Sequence, residues 1–272
     1  MFEQQETAGR KSRRRGFTLV ELLVVISIMS MLMSILLPSL SRAREAGQRA
    51  HCFYNLRGLT LAWTMYAIDN EGKLCSPNTW WQDWGTGNYW VADGPRWQGD
   101  GPGTTGNTEK AIKDGVLWPY TQSLGLYKCK RDRSGLLRSY SMSETMGGLF
   151  PTQGICPTPE FASLPHKNWP FRTFEEIYRS AERMLFIDAE RWGTARWLAG
   201  GFEPCIDVKT SQWWFYNWNS LTARHSNGCN LSFADGHCEY WKWKSPKEPR
   251  ESPSAAYDDI QRLWKALKGR KY

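Results

Sequence analysis

Two positions near the C-terminus have the types and spacing of a small chemical site. His225 is followed, after nine intervening residues, by Asp235 and Gly236. An imidazole and a carboxylate can share a metal ion, a proton or a polar ligand. Asp188, at the end of the apolar run 184–187, is a third group of that kind. A plainer reading stands beside this one. Asp-Gly between alternating strands is a turn signal, and His225 at a strand start is placed to hydrogen-bond the backbone. Two or three ligands without fixed spacing do not identify a metal. A thiol–imidazole pair drawn from Cys229 or Cys238 with His237 would suit nucleophilic catalysis, but no oxyanion element accompanies it. The chain has four histidines and lacks a Gly-rich phosphate loop, a GxSxG and an HExxH. No enzymatic activity and no cofactor are expected from it.

Thiols and indoles are the other chemically loaded residues. Seven cysteines occur, at 52, 75, 129, 156, 205, 229 and 238, and none forms a CxxC pair. A zinc ribbon is therefore not indicated. An exported domain can form disulfides, the odd count leaves at least one thiol over, and the spacing does not give the pairing. Sixteen tryptophans are far above ordinary usage. Trp80, Trp81 and Trp84 lie in a Gly- and Asn-rich stretch, with further indoles at 90, 97 and 213–218. Exposed, they would be flat apolar platforms for sugar rings or other aromatic faces. Buried, they would be the core of a loop-rich domain short of aliphatic residues.

The remaining chemistry is one carboxylate in the wrong place. Residues 11–16 are basic and end in Gly16; residues 17–37 are almost purely apolar, and Glu21 is the only charge among them. As a helix, that run is about 32 Å long, the thickness of a bilayer core. A carboxylate there costs about 2.5–3.5 kcal/mol at mid-membrane and less near the end. Three leaders fit such a pattern: a secretory signal peptide with Ser39-Leu40-Ser41 as its cleavage site, a plain anchor held by Arg13–Arg15 on the cytoplasmic side, or a leader cut after Gly16. The apolar run is long for a signal peptide and the helical pattern continues past residue 41. Net charge is +8; the leader holds five cations against two acids, so the remainder carries about +5. Acids are spread throughout, and no nucleic acid is expected as partner.

The stretch Gly16-Phe17-Thr18-Leu19-Val20-Glu21-Leu22-Leu23 resembles the processing site of type IV prepilins and type II secretion pseudopilins, and Pro38 matches that family's helix kink. The resemblance implies cutting by a prepilin peptidase between Gly16 and Phe17 and methylation of the new Phe17 amine. It implies that Glu21 faces the N-terminal ammonium of a neighbouring subunit, so the partners are the peptidase, other pilin or pseudopilin subunits and the inner membrane. It places a single-pass chain there, with its globular part in the periplasm or on the cell surface. A second set of residues is similar to bacterial pseudopilin-like proteins with a C-terminal His-x9-Asp-Gly domain: Arg44-Glu45-Ala46, Cys52, Asn55-Leu56-Arg57, Leu61-Ala62, Met65-Tyr66-Ala67 and Asp69-Asn70-Glu71-Gly72, with His225, Asp235 and Gly236 as the signature. Where that family has Tyr-x-Cys-Pro-Ser-Asp, this chain has Tyr127-Lys128-Cys129-Lys130-Arg131-Asp132. Some major pseudopilins bind calcium, through loops without a residue-by-residue counterpart here.

The elements that must position these groups follow from periodicity. One helix is predicted over 17–70, ended by the stop signal Asp69-Asn70-Glu71-Gly72. Past Pro38 its small and apolar residues Leu40, Ala43, Gly47, Ala50, Tyr54, Leu61, Met65 and Ile68 recur every three or four positions, as on a helix with one side laid on a domain. Residues 73–115 read as a long irregular insertion, 183–188 as a buried strand and 229–243 as a hairpin. With Asp235-Gly236 as a two-residue turn, Phe233 faces Cys238. Cys229, Leu231, Phe233, Cys238 and Tyr240 then share the core face. After a Pro/Ser-rich linker, 257–267 is a short amphipathic helix with Ile260, Leu263, Trp264 and Leu267 on one face; its similarity to the Asp-rich, Leu-Trp segment that often ends the resembled family implies that it docks on the domain rather than on a membrane. The expected fold class is α+β: a long N-terminal transmembrane helix on a small antiparallel sheet with long irregular loops. Its parts are a leader (1–16), an assembly helix (17–38), the helix continuation (39–70), a globular domain (71–244), and a linker with its terminal helix (245–272). The functional expectation is a prepilin-type structural subunit of a type IV pilus-like or type II secretion-like apparatus; the alternative is a membrane-anchored, Trp-rich, carbohydrate-binding module.

Overall fold

A computed structural model of the chain describes residues 17–77, 88–92, 108–143, 145–147, 170–191, 201–202, 204–206, 213–215, 219–244, 258–259, 262–263 and 265–267. Gly16 and the trio Trp80, Trp81 and Trp84 lie outside these residues.

Helix α1 runs Leu19–Asp69. Its start is a capping box: the Glu21 carboxylate accepts from the Thr18 N–H at 2.8 Å and the Thr18 hydroxyl at 2.9 Å, while Thr18 Oγ1 accepts from the Glu21 N–H at 3.2 Å. That pairing satisfies orphan donors of the first turn. Its end is a left-handed turn, with Glu71 at φ 58° and Gly72 at φ 79°, and the Gly72 N–H returns to the Ala67 carbonyl at 2.8 Å. Two compact units divide the chain, residues 1–46 and residues 47–272. In the first, the helix is apolar and long enough to cross a membrane.

The second unit is α+β. Strands β1 (Tyr140–Ser143), β2 (Met184–Arg191), β7 (Gly228–Phe233) and β8 (Cys238–Lys242) form an antiparallel sheet in the order β1-β2-β7-β8. Short β3 (Gly201–Phe202) adds in parallel to β1, and β6 (Asn219–Leu221) pairs with the end of β2. Strands β4 (Pro204–Ile206) and β5 (Trp213–Phe215) make a separate pair. Residues 47–69 cover one face of the main sheet, joined by the short helices α2 (Glu109–Lys113) and α3 (Trp118–Thr121) and the 3-10 turn Leu124–Tyr127. The described C-terminal residues are helical and cover the other face, where Leu263, Ala266 and Leu267 pack on Ile187, Leu231, Phe233 and Trp241. Trp63 and Trp90 are fully buried, and Trp241 and Trp243 nearly so, so these indoles serve the core.

Two expectations are corrected. The apolar stripe of α1 does not face its own domain: Tyr54, Leu61, Met65 and Ile68 are 70%, 60%, 43% and 73% exposed. The buried side is Cys52, Asn55, Leu56, Leu59, Thr60, Trp63, Tyr66 and Ala67. The sheet beneath presents polar groups, so the helix face that meets it is mixed: Thr60 donates to Ser232 Oγ at 2.9 Å. Polarity therefore does not mark the solvent side. The hairpin is one residue longer at its turn than expected. Ser232, not Phe233, pairs with Cys238. Phe233 N–H donates to the His237 carbonyl at 3.0 Å and Gly236 N–H to the Phe233 carbonyl at 2.9 Å, with Gly236 at φ 95°. This is a three-residue loop with glycine in the left-handed position. The extra residue flips β8: Cys238 joins Ser232 on the α1 side, its thiol against the Phe53 carbonyl, while Trp241 joins Cys229 and Leu231 on the other.

Candidate functional site

A buried polar cluster lies where α1 crosses the sheet. Each member is placed by a local device. Asn55, on the buried face of α1, donates to the carbonyls of Gly125 at 3.1 Å and Lys128 at 2.9 Å. This draws the 3-10 turn and the following Cys129 against the helix. Asp132 closes the next turn. It accepts from Ser134 N–H at 2.8 Å and Ser139 Oγ at 2.6 Å, and Ser139 Oγ in turn accepts from the Cys129 N–H at 3.0 Å. Lys130-Arg131 thus stand inside one tight loop between Cys129 and Asp132, whose N–H donates to the Cys129 carbonyl at 3.0 Å. Before β7, Ser226 and Asn227 both have positive φ. The turn they form is tied by His225 N–H to the Gly228 carbonyl at 3.2 Å and by Tyr240, whose hydroxyl donates to the His225 carbonyl at 2.7 Å.

Four groups meet at the centre. The thiols of Cys52 and Cys129 are 3.1 Å apart, Cys129 Sγ is 3.4 Å from His225 Nε2, and His225 Nε2 is 3.3 Å from Asp188 Oδ2. All four residues are fully buried. Arg224 holds the other side of Asp188, with Nη1 to Oδ1 at 2.6 Å, and donates to the Ala189 carbonyl at 2.5 Å. Asp132 lies 3.9 Å from the same guanidinium. Two carboxylates thus surround one guanidinium and one imidazole, which balances charge when the imidazole is protonated.

The titration behaviour follows. Burial alone would push the His225 imidazole down; hydrogen bonds to Asp188 and Cys129 and the Asp188 charge overcome it and hold the group up at about 9. Burial likewise opposes ionisation of Asp132, but the Arg224 charge and the Ser139 and Ser134 hydrogen bonds bring it down to about 2. The thiols split: the contact between them pulls Cys52 down, while that contact and burial push Cys129 up. Among the described residues, the buried atoms without an aligned hydrogen-bond partner include Asp188 Oδ2, His225 Nδ1 and both side-chain atoms of Asn230, so Asp188 Oδ2 meets His225 at 3.3 Å chiefly as a charge.

The signature residues do not come together. His225 precedes β7 and Asp235 follows it, and a six-residue strand separates them by about 20 Å. Asp235 instead accepts from its neighbour His237, through N–H at 3.1 Å and Nδ1 at 2.6 Å. A groove of about 1030 Å³ adjoins this turn, lined in part by Tyr54, Leu61, Phe174, Asp235 and His237. Asp188 does meet His225. The partners that sequence reasoning did not join to them are Arg224, Asp132 and the two cysteines, drawn from segments far apart in the chain. Cys52, Cys129 and His225 offer three metal-ligand atoms within 4.8 Å of one another. The arrangement can therefore act as an ion-pair lock, a thiol pair or a three-ligand metal group. Of the thiol–imidazole candidates, Cys238 and His237 both line the groove, whereas Cys229 is fully buried.

Comparison with known proteins bears on the N-terminus. Residues 11–37 match the family described as the prokaryotic N-terminal methylation motif. Type II secretion system core protein G of Pectobacterium carotovorum subsp. carotovorum is 36% identical over 77 residues, covering 26% of this chain and 49% of that protein. The same-named proteins of Klebsiella michiganensis and Klebsiella pneumoniae are 38% and 41% identical over 62 and 59 residues, covering 23% and 22% of this chain and 44% and 42% of theirs. The chain spans less than half the length of these curated relatives. No solved structure matches it. The N-terminal region thus carries the methylation motif, as prepilins do, and a likeness to a type II secretion system core protein.

Proposed function

We propose that this chain is a pseudopilin-like structural subunit of a type II secretion-like or type IV pilus-like apparatus, anchored in the inner membrane and matured by a prepilin peptidase. The observation that carries the reading is the division of α1 into two apolar surfaces. Cys52, Leu56, Leu59 and Trp63 serve the chain's own core, while Tyr54, Leu61, Met65 and Ile68 form a second stripe left exposed. An apolar helical stripe that the monomer does not use is a surface for a neighbouring helix. The methylation motif and the likeness to protein G support the same assembly.

Glu21 fits this role in two stages. In the single chain its carboxylate folds back on Thr18. Cutting between Gly16 and Phe17 would create an ammonium one residue before Thr18. In an assembly, the carboxylate then exchanges its capping bonds for the ammonium of a neighbour. Burial makes an unpaired partner costly, so the pair sets register more than it adds stability.

The test is intact mass and N-terminal sequencing of the protein from membranes, with and without prepilin peptidase. The expected product begins at N-methyl-Phe17 and appears only with the peptidase. An uncut chain, or one cut near Ser41, would sink the reading.

A further inference from the structure

We infer that Cys52 and Cys129 close as a disulfide that ties residues 47–69 of α1 to the loop preceding β1, and that this is the resting state of the exported domain. The inference rests on the proposed location outside the cytoplasm, where such bonds form and persist. From the five described cysteines the geometry selects this pair. Their sulfurs are 3.1 Å apart, closer than two unbonded thiols settle and about 1 Å from a bond length of about 2.05 Å. Both flanking segments are already fixed, Cys52 within a helix and Cys129 by the Ser139–Asp132 bonds and by Asn55. Cys75 and Cys229 are buried elsewhere in the core.

A metal is the competing occupant, with Cys52, Cys129 and His225 as its ligands. Two thiolates on a tetrahedral zinc at about 2.3 Å each lie about 3.7 Å apart, so a metal would hold the sulfurs apart where a disulfide draws them together, and the experiment below separates the two.

The bond forms by exchange with a dithiol/disulfide oxidoreductase of the exported compartment. One cysteine thiolate attacks a sulfur of the donor disulfide, expelling one donor thiolate and leaving a mixed disulfide. The second cysteine thiolate attacks the cysteine sulfur of that mixed disulfide and expels the other donor thiolate. The protein loses two protons and two electrons; the donor is reduced to a dithiol. Both cysteines are fully buried in the folded domain, so exchange precedes closure of the helix over the sheet, and the finished bond is shielded from reductants.

The experiment uses the full chain isolated from membranes of its host, denatured with a thiol-blocking maleimide present, and mapped by peptide mass spectrometry without reduction. The peptides of Cys52 and Cys129 are expected cross-linked, with Cys75 and Cys229 alkylated. C52S, C129S and the double variant should each lower the Tm by about the same amount, on the order of 10 °C for a loop of this length, and reduction during unfolding should bring the wild type to that value. Alkylation of both cysteines in a domain that protease treatment of intact spheroplasts shows to be outside the cytoplasm overturns the inference. So does zinc that copurifies and must be chelated before the thiols react. If protease finds the domain inside, the location reading fails separately. The reduced chain in a glutathione redox buffer then decides: selective Cys52–Cys129 closure supports the pairing, and mixed or absent closure overturns it.

Discussion

Asp188→Asn separates the buried ion network from everything else that titrates. In the wild type, Asp188 sits 2.6 Å from Arg224 and 3.3 Å from His225. Removing one partner of a buried pair typically costs about 3–5 kcal/mol, because the remaining charges lose their compensation. The pH dependence is the sharper signature. His225 is held at about 9 against an ordinary value of 6.5. A group raised on folding adds stability that is complete below its unfolded value and is lost as pH rises through its folded value. At about 1.4 kcal/mol per pH unit, that loss is on the order of 3 kcal/mol between pH 6.5 and 9. Without the Asp188 charge, burial prevails and His225 stays neutral across the window. The variant is then insensitive to this imidazole. Urea unfolding of the full chain in detergent, followed by the fluorescence of the buried tryptophans, should show a stability gap of about 3–5 kcal/mol near pH 6 that narrows by about 2–3 kcal/mol near pH 10. Groups out of reach of Asp188 occur in both proteins and cancel in the difference; the Cys52 and Cys129 thiols, which also feel its charge, do not titrate once joined as a disulfide. A gap that stays constant from pH 6 to 10 would refute the assignment of a protonated His225 to Asp188.

Leu263→Ala, at a fully buried position over β7 and β8, should cost about 2–4 kcal/mol; a change below about 0.5 kcal/mol in urea unfolding would mean that the C-terminal helical residues do not cover the sheet. Gly147→Ala should cost more than about 2 kcal/mol, since the glycine has φ 90° and an added Cβ would lie 2.0 Å from the Cys75 carbonyl oxygen; an unchanged Tm would contradict that close approach. Replacing Leu61, Met65 and Ile68 together by polar residues should leave the unfolding curve within about 1 kcal/mol of wild type, because each is exposed, yet abolish cross-linking between subunits in membranes. Loss of folding in that variant would return the stripe to the core.

Much of the framework was legible because its signals are local. The apolar run and the Asp69-Asn70-Glu71-Gly72 stop give a helix over 17–70, and α1 spans Leu19–Asp69. The strand ending near Asp188 and the hairpin at Asp235-Gly236 were likewise readable from alternation and turn chemistry. The capping box was also present in the order Thr18-x-x-Glu21, a visible pattern that gives Glu21 a role within the chain. What escaped is what depends on pairing. Asp-Gly permits a two-residue loop and a three-residue loop with Gly236 left-handed, and the choice decides which face Cys238 and Trp241 occupy. The buried side of α1 escaped because Asn55 and Thr60 find their partners in distant segments, at the carbonyls of Gly125 and Lys128 and at Ser232. No periodicity within α1 records those partners. The central cluster joins α1, the Cys129 loop, β2 and the turn before β7, and only the tertiary fold places them within a few ångströms.

That dependence suggests why a polar cluster lies under this helix at all. An apolar seam of leucines and small residues would tolerate a slide of one helical turn, about 5.4 Å, since one apolar contact replaces another. Asn55 and Cys52 tolerate none: a slide would leave Asn55 facing no carbonyl, at about 1–3 kcal/mol for an unsatisfied buried group, and would break the Thr60–Ser232 contact and pull against the Cys52–Cys129 link. Buried polar and ionic groups add little net stability compared with well-packed apolar ones. Their value here is to fix one register of residues 47–69 on the sheet. The same helix carries Tyr54, Leu61, Met65 and Ile68 on its exposed side. A stripe offered to a neighbouring subunit holds a defined orientation to its own domain only if the register beneath it is unique. The cluster around His225 and the exposed stripe are in this sense two sides of one device, the inner side setting the position at which the outer side is presented.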